Sequence, residues 1–378
     1  MTRAYLDYNA GAPMRPEAAA AVAATLGCPG NPSSVHMAGR EARRRMEEAR
    51  GRVAALVGGQ PAGVVFTSGG TEANALALRG AGRRRVLASA VEHASVREAV
   101  SAEAIPVNRD GVVDLDAVDR LLATDPRPAL VSVMLANNET GVIQPVARVA
   151  DVARRHGALV HCDACQAPGR VPVSLSDLGV DFLTLSGHKL GGPAGIGALV
   201  LADPDFPLAP ILLGGGQERR RRAGTENLPG IVGFGVAAAM AADDIGSGVA
   251  ILEVCNLRDG LEAEARRRVP DAVIVGAGAP RIGNTTCLAL PGVAAQIQVA
   301  ALDLAGVMVS AGAACSSGKV AESQVLAAMG LGPAVAGSAV RVSLGWASRR
   351  EDVDAFLDAW AELARRKGFR VNDAAQAA

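Results

Sequence analysis

Aromatic side chains are scarce in this chain, 3% of 378 residues. A core with so few rings relies on close backbone approach and small side chains. Net charge is also missing, because 38 Lys and Arg balance 38 Asp and Glu. No global field is available to draw in nucleic acid or an acidic membrane. The arginine runs at Arg83–Arg85 and Arg219–Arg222 are local and read as solvated faces. The most apolar long stretch, Ile231 to Ala242, reads as too short and too rich in Gly and Ala for a bilayer span. Met1 to Asp7 lack the apolar centre of a secretory signal, so a cytoplasmic location is expected. The six cysteines are scattered at 28, 162, 165, 255, 287 and 315, and are expected as free thiols. Repeats and low-complexity linkers are absent.

What is present is a large apolar fraction, 49%, enough for a sizeable core. The length suggests one large and one smaller domain. Apolar runs at Val64–Phe66, Val86–Ala88, Leu130–Leu135, Ala158–Cys162 and Val180–Leu185 alternate with helical stretches such as Glu41–Val57 and Val146–His156. Strands spaced by helices predict an α/β fold with a mostly parallel sheet. After the Gly246-Ser247-Gly248 break the pattern changes. A charged helix, Ile251–Arg268, precedes short strands at Ala272–Val275, Thr285–Leu290 and Val340–Leu344. We read 13–246 as a large domain and 247–378 as a smaller α+β domain, which residues 1–12 join.

Ligands of such sheets lie beyond the carboxyl ends of the strands. Several polar residues directly follow the apolar runs. Lys189 ends Ser186-Gly187-His188-Lys189. An amine packed there among small residues is suited to a Schiff base, because desolvation makes it nucleophilic. A lone lysine would read as an ordinary surface residue, but Asp163 and Gln166 follow another strand. A carboxylate so placed suits a protonated pyridine nitrogen, and Gln166 suits a ring oxygen. Cys162 and Cys165 have metal-site spacing, but no second pair completes a zinc site, so core packing is expected of both. Thr67 to Asn74 follow a strand and open a helix whose free amides suit phosphate; a plain helix start is the alternative. His93 could stack on a ring or be structural. Asn138 could hold a substrate carboxylate or serve a turn. Cys315 sits among small residues in an accessible segment, where a thiol can react. Arg341 is an unexpected charge in a strand, either an edge residue or a fork for a carboxylate.

Taken in order, Tyr5-Leu6-Asp7-Tyr8-Asn9-Ala10, Thr67-Ser68-Gly69-Gly70-Thr71-Glu72, Asn137-Asn138-Glu139, Asp163-x-x-Gln166, Ser186-Gly187-His188-Lys189, Gly214-Gly215-Gly216-Gln217-Glu218, Arg222-Ala223-Gly224-Thr225-Glu226-Asn227, Ala314-Cys315 and Arg341-x-Ser343-Leu344-Gly345 resemble the cysteine desulfurases of the class V aminotransferase superfamily. The resemblance spans residues 5 to about 360. It implies a fold-type I, homodimeric enzyme dependent on pyridoxal 5'-phosphate. Lys189 would carry the cofactor, Asp163 face the pyridine nitrogen, Gln166 the ring oxygen, and His93 stack over the ring. Gly70, Thr71, Ser186 and His188 would hold the phosphate, with Thr225 reaching it from the other subunit. Asn138 and Arg341 would bind the carboxylate of L-cysteine, and Cys315 would take its sulfur as a persulfide. A sulfur acceptor would follow, either an iron–sulfur scaffold or a tRNA-thiolation protein. No metal, nucleic acid or membrane is implied.

Three positions depart from the family pattern. Gly11 begins Gly-Ala-Pro where Thr-Thr-Pro is commoner, Gly70 stands where Ala is usual, and Ala194 replaces a frequent Lys. Alternatives are an aminotransferase or selenocysteine lyase of the same superfamily, or a non-catalytic sulfur-transfer scaffold. Intact Lys189, Asp163 and Cys315 argue against the scaffold.

Overall fold

The computed structural model describes residues 3–312 and 323–372. Its centre is a seven-stranded sheet. The spatial order is Val64–Thr67, Gly197–Leu201, Phe182–Ser186, Leu159–Asp163, Ala129–Ser132, Arg85–Ser89 and Glu103–Ile105. Neighbours from Phe182–Ser186 to Glu103–Ile105 pair in parallel. Gly197–Leu201 runs antiparallel to both its neighbours. The apolar runs read from the sequence do not include this strand. The chain turns back after Lys189, and a returning strand is necessarily antiparallel to the one before it. Because two antiparallel pairings cancel, Val64–Thr67 points the same way as the parallel strands. Six carboxyl ends therefore open on one edge.

Both faces of the sheet are covered, and strand alternation sorts the side chains between them. Val64, Phe66, Ala198, Val200, Leu183, Leu185 and Val131 belong to one core. Val65, Leu199, Leu201, Phe182 and Leu130 belong to the other, against Ala73, Leu76 and Ala77 of the helix Gly70–Gly80. Phe182 meets Phe206 edge-on, centroids 5.0 Å apart. The run Leu130–Leu135 yields a shorter strand than its hydrophobicity predicts. Even so, Val133 and Leu135 still donate to the carbonyls of His161 and Asp163.

The first core also takes in the helices Met37–Leu56 and Leu228–Ser247, which cross closely. Leu228–Ser247 has 20 residues and is long and apolar enough by composition to cross a membrane. This corrects the reading of Ile231 to Ala242 as too short. Half of its most apolar stretch is buried inside the protein. Small residues permit this packing: a Cβ on Gly235 would lie 2.6 Å from that of Ala49.

A separate core belongs to a four-stranded antiparallel sheet, ordered Ser310–Ala311, Ala339–Ser343, Thr285–Ala289, Val273–Ile274. The helices Val249–Arg268, Ala295–Leu304 and Arg350–Arg366 cover it. Phe356 stacks on Trp360, whose indole donates to Gln298 Oε1 at 3.0 Å. The N-terminal strand Ala4–Tyr5 pairs in parallel with Val307–Met308, and Ala4 and Leu6 sit in this core. Ala339–Ser343 is an interior strand, so its Arg341 is not an edge residue.

Candidate active site

At the carboxyl edge of the large sheet, against the smaller one, lies a cavity of about 520 Å³. It is lined by Gly70, Thr71, His93, Asn138, Asp163, Gln166, Ser186, His188, Lys189 and Arg341. Thus ten of the twelve residues singled out from the sequence meet in one place. Thr225 does not: it is exposed and outside the cavity of a single chain. Cys315 lies outside the described residues. Gly312 and Gln324, on either side of its segment, both line the cavity.

Each strand end contributes one part. Phe182–Ser186 leads through a single turn, Gly187–Lys189, to the amine. Lys189 Nζ donates to the carbonyls of Asn9 and Ala10, so the N-terminal segment forms its wall. Ser186 Oγ lies 3.0 Å from His188 Nδ1. Burial, aided by Lys189, pushes the His188 pKa down to about 4. Neutral His188 can therefore accept or donate one hydrogen bond.

Leu159–Asp163 delivers Asp163, whose Oδ1 accepts from Cys165 N at 2.9 Å and Oδ2 from Asn74 Nδ2 at 2.7 Å. Gln166 Nε2 donates to Asn9 O at 3.0 Å, and its Oε1 accepts from Arg170. Val64–Thr67 leads to the helix Gly70–Gly80, whose N-terminus has no side-chain cap. Asn137 serves the turn, its Oδ1 accepting from Glu139 N and Thr140 N, which leaves Asn138 to face the cavity.

The cavity also holds groups that the sequence reading does not single out: Asn9, Asn74, Glu92, Glu139 and Cys165. Their signals were available in part. Asn74 follows Gly70 by four residues and so shares its helix face, and Glu92 adjoins His93. Cys165 corrects an expectation. Cys162 is buried in the core, but Cys165 lines the cavity. Burial and then Asp163 raise both thiols well above the usual range, so neither is a ready nucleophile.

The departure at Gly70 now has a cause. A Cβ there would stand 2.6 Å from Cys165 Sγ. Gly70→Ala should therefore weaken binding of pyridoxal phosphate, and Gly70→Ala with Cys165→Ala should restore it. Titration of each apoprotein with the cofactor checks this; equal affinity of the Gly70→Ala single variant and wild type refutes it.

Glu92 is 1% exposed, and its Oε1 accepts from Met134 N. Burial, with the charge of Asp163 added, holds its pKa well above the carboxylate range. Folding thus favours the protonated form, and the cost of ionisation appears only as pH rises past the ordinary carboxylate value. Glu92→Gln removes that cost. The apoprotein variant should melt higher than wild type at pH 8 and together with it at pH 4; a constant difference across that range would contradict this account.

Three buried polar atoms lack any partner among these residues: Asn74 Oδ1, Glu92 Oε2 and Arg341 Nε. Arg341 is 2% exposed; its Nη2 donates to Asp7 Oδ1 at 2.6 Å and its Nη1 to Asn138 O at 3.1 Å. Its remaining Nε–H suits an incoming carboxylate. Uncapped helix amides, a buried carboxylate and a strand-end lysine fit a phosphorylated pyridine aldehyde.

The loop 213–227 is held tightly to this region. Glu218 is buried and takes both arms of Arg50 at 2.8 Å, plus the amide of Phe66. Arg50 also lies 4.6 Å from the Phe66 ring centroid. Glu218, Arg219 and Arg220 all have positive φ, at 45°, 55° and 67°. Consecutive non-glycine residues hold that conformation only when surrounding bonds over-determine it. Arg222 then pairs with Glu72 at 2.9 Å, next to the phosphate-type turn.

Comparison with known proteins agrees with this geometry. The family model for class V aminotransferases matches residues 4–356. A cysteine desulfurase of Cereibacter sphaeroides is 42% identical, over 95% of each chain. An IscS-like cysteine desulfurase of Mycobacterium tuberculosis is 39% identical, over 94% of each. A solved NifS-like protein from Rickettsia africae superposes with a TM-score of 0.89 at 34% identity, covering 96% of this chain and all of that one. The chain belongs to the class V aminotransferase family and, within it, to the cysteine desulfurases.

Proposed function

We propose that the protein converts L-cysteine to L-alanine and leaves the sulfur on Cys315 as a persulfide. The convergence of Lys189, Asp163 and Arg341 on one cavity is the observation that carries this reading. A related solved structure is of SspA in complex with cysteine, 27% identical with a TM-score of 0.78, which supports the substrate.

Pyridoxal phosphate supplies, when bound, an electrophilic carbon and a ring that withdraws electrons from the substrate Cα. The residues do the rest. Lys189 holds the cofactor covalently, and as a free amine takes and returns the proton at the substrate Cα. Asp163, fixed by Asn74 and the Cys165 amide, keeps a proton on the ring nitrogen. Gly70 and Thr71 amides, with Ser186 and His188, hold the phosphate. Gln166 faces the ring oxygen, and His93 packs over the ring. Arg341 Nε and Asn138 take the substrate carboxylate. The Cys315 thiolate attacks the substrate sulfur: an S–S bond forms, the C–S bond breaks, and its electron pair ends in a C–H bond of alanine. A protein that builds iron–sulfur clusters or thiolates tRNA then removes the sulfur. The decisive assay adds L-cysteine and an excess of dithiothreitol, which reduces the persulfide to sulfide, to purified holoenzyme and measures alanine and sulfide together. Equal yields support the desulfurase; a keto acid without sulfide indicates an aminotransferase.

The active form is proposed to be a homodimer with Thr225 serving the partner's phosphate site. Its exposure, and the anchoring of its loop through Glu218 and Arg222, support this. Mixed dimers of Thr225→Ala and Lys189→Ala chains should then regain one intact site each. Absence of recovery after verified subunit exchange would rule out a contact in trans.

A further inference from the structure

We infer that Asn74 is a positioning residue that couples His93 to Asp163, the two groups proposed above to flank the cofactor ring. This role rests on that proposal. Asn74 is 1% exposed and sits one turn beyond Gly70 in the helix Gly70–Gly80. Its single amide nitrogen donates in two directions, to Asp163 Oδ2 at 2.7 Å and to Ser95 Oγ at 2.8 Å. An ionised carboxylate only accepts, so the nitrogen must be the atom facing Asp163.

The remaining protons then follow. Ser95 Oγ accepts from Asn74, which leaves its own proton free for His93 Nδ1, 2.8 Å away. The Ser95 backbone amide also donates to that nitrogen at 3.1 Å. His93 Nδ1 is therefore an acceptor, and the neutral ring carries its proton on Nε2. One donor thus disperses the charge of Asp163 and, through a hydroxyl, positions the imidazole of His93, whose tautomer the Ser95 backbone amide fixes. The same helix presents its N-terminal amides at Gly70 and Thr71 to the phosphate-type turn. Phosphate seat, ring-nitrogen partner and imidazole are then held in register by two turns of one rigid element.

The test compares wild type with Asn74→Ala, Asn74→Asp and Ser95→Ala, each prepared as apoprotein and reloaded with pyridoxal phosphate. Asn74→Asp keeps the shape of the side chain but has no N–H to give. Without that donor Asp163 draws the ring proton toward itself, and the ring withdraws electrons less strongly. Both Asn74 variants should bind the cofactor at least about ten-fold more weakly. The pH midpoint of the bound cofactor's visible absorption should rise by at least about half a unit. Ser95→Ala should leave that midpoint in place, yet move the His93 Nδ1 resonance through the loss of one of its two donors, read by ¹⁵N NMR of histidine-labelled apoprotein. Melting of the apoproteins checks folding, and Asn74→Asp with Ser95→Ala carry the test if Asn74→Ala does not fold. If wild type loads through Lys189 and Asn74→Asp matches it in affinity and midpoint, the coupling is refuted and the site assignment stands. If wild type itself takes no cofactor through Lys189, the site assignment falls and the coupling with it.

Discussion

Lys189→Ala abolishes covalent capture of the cofactor and lowers desulfuration by at least about 10³-fold, the scale expected when a covalent catalyst is removed. This chain makes the result unusually easy to read. Only three of its 378 residues are lysine, at 189, 319 and 367. Lys367 follows the helix Arg350–Arg366 and is exposed, away from the cavity. Borohydride reduction of the wild-type holoenzyme should therefore fix cofactor to one peptide, the one containing Lys189. The variant should still bind pyridoxal phosphate without a covalent bond, because the helix amides at Gly70 and Thr71 and the carboxylate of Asp163 belong to other elements. Melting of the apoprotein variant checks that the segment around Asn9 and Ala10, whose carbonyls accept from the Lys189 amine, stays folded. Cofactor fixed covalently to the Ala variant would refute the assignment.

The second large effect is chemical rather than architectural. Cys315→Ser should keep the cofactor and its colour, bind L-cysteine, and lose sulfide release by about 10³-fold or more. A serine oxygen cannot hold sulfane sulfur, so the C–S bond has no acceptor. Mass spectrometry of wild type treated with L-cysteine should find one added sulfur on the Cys315 peptide. Competing thiols are poor candidates on physical grounds. Burial raises Cys162 and Cys165 well above the usual range, and Cys287 to about 12. Sulfur found only on Cys165, which does line the cavity, would redirect the mechanism to that residue.

Much of this site was legible because the fold is periodic. A strand followed at once by an unusual polar residue points to the carboxyl edge, and Lys189, Asp163, His93 and Asn138 could all be found that way. What the order of residues hides is contact across the chain. Nothing near Asp163 in sequence announces Asn74, 89 positions away. Nor does Cys165 reveal that its sulfur fills the space beside Gly70; the strands that lead to the two are separated by two others in the sheet. Arg341 looked anomalous because its partner, Asp7, lies 334 positions earlier. Gly197–Leu201 was missed because its glycine-rich approach imitates a loop, while the strand itself is decided by hydrogen bonds to both neighbours.

The pairing of Ala4–Tyr5 with Val307–Met308 has a consequence in time. The ribosome makes Asn9 and Ala10 about 300 residues before the strands that pair with this segment. At roughly 5–20 residues per second, the N-terminal strand waits some 15–60 s for its partners. During that wait the large sheet can already be complete, with Gln166 and Lys189 as partners for Asn9 and Ala10 but without the smaller sheet behind them. Cofactor capture on a nascent chain would therefore precede substrate selection: the strands of the aldehyde's seat are made by Leu201, whereas Arg341, the carboxylate reader, follows about 140 residues later.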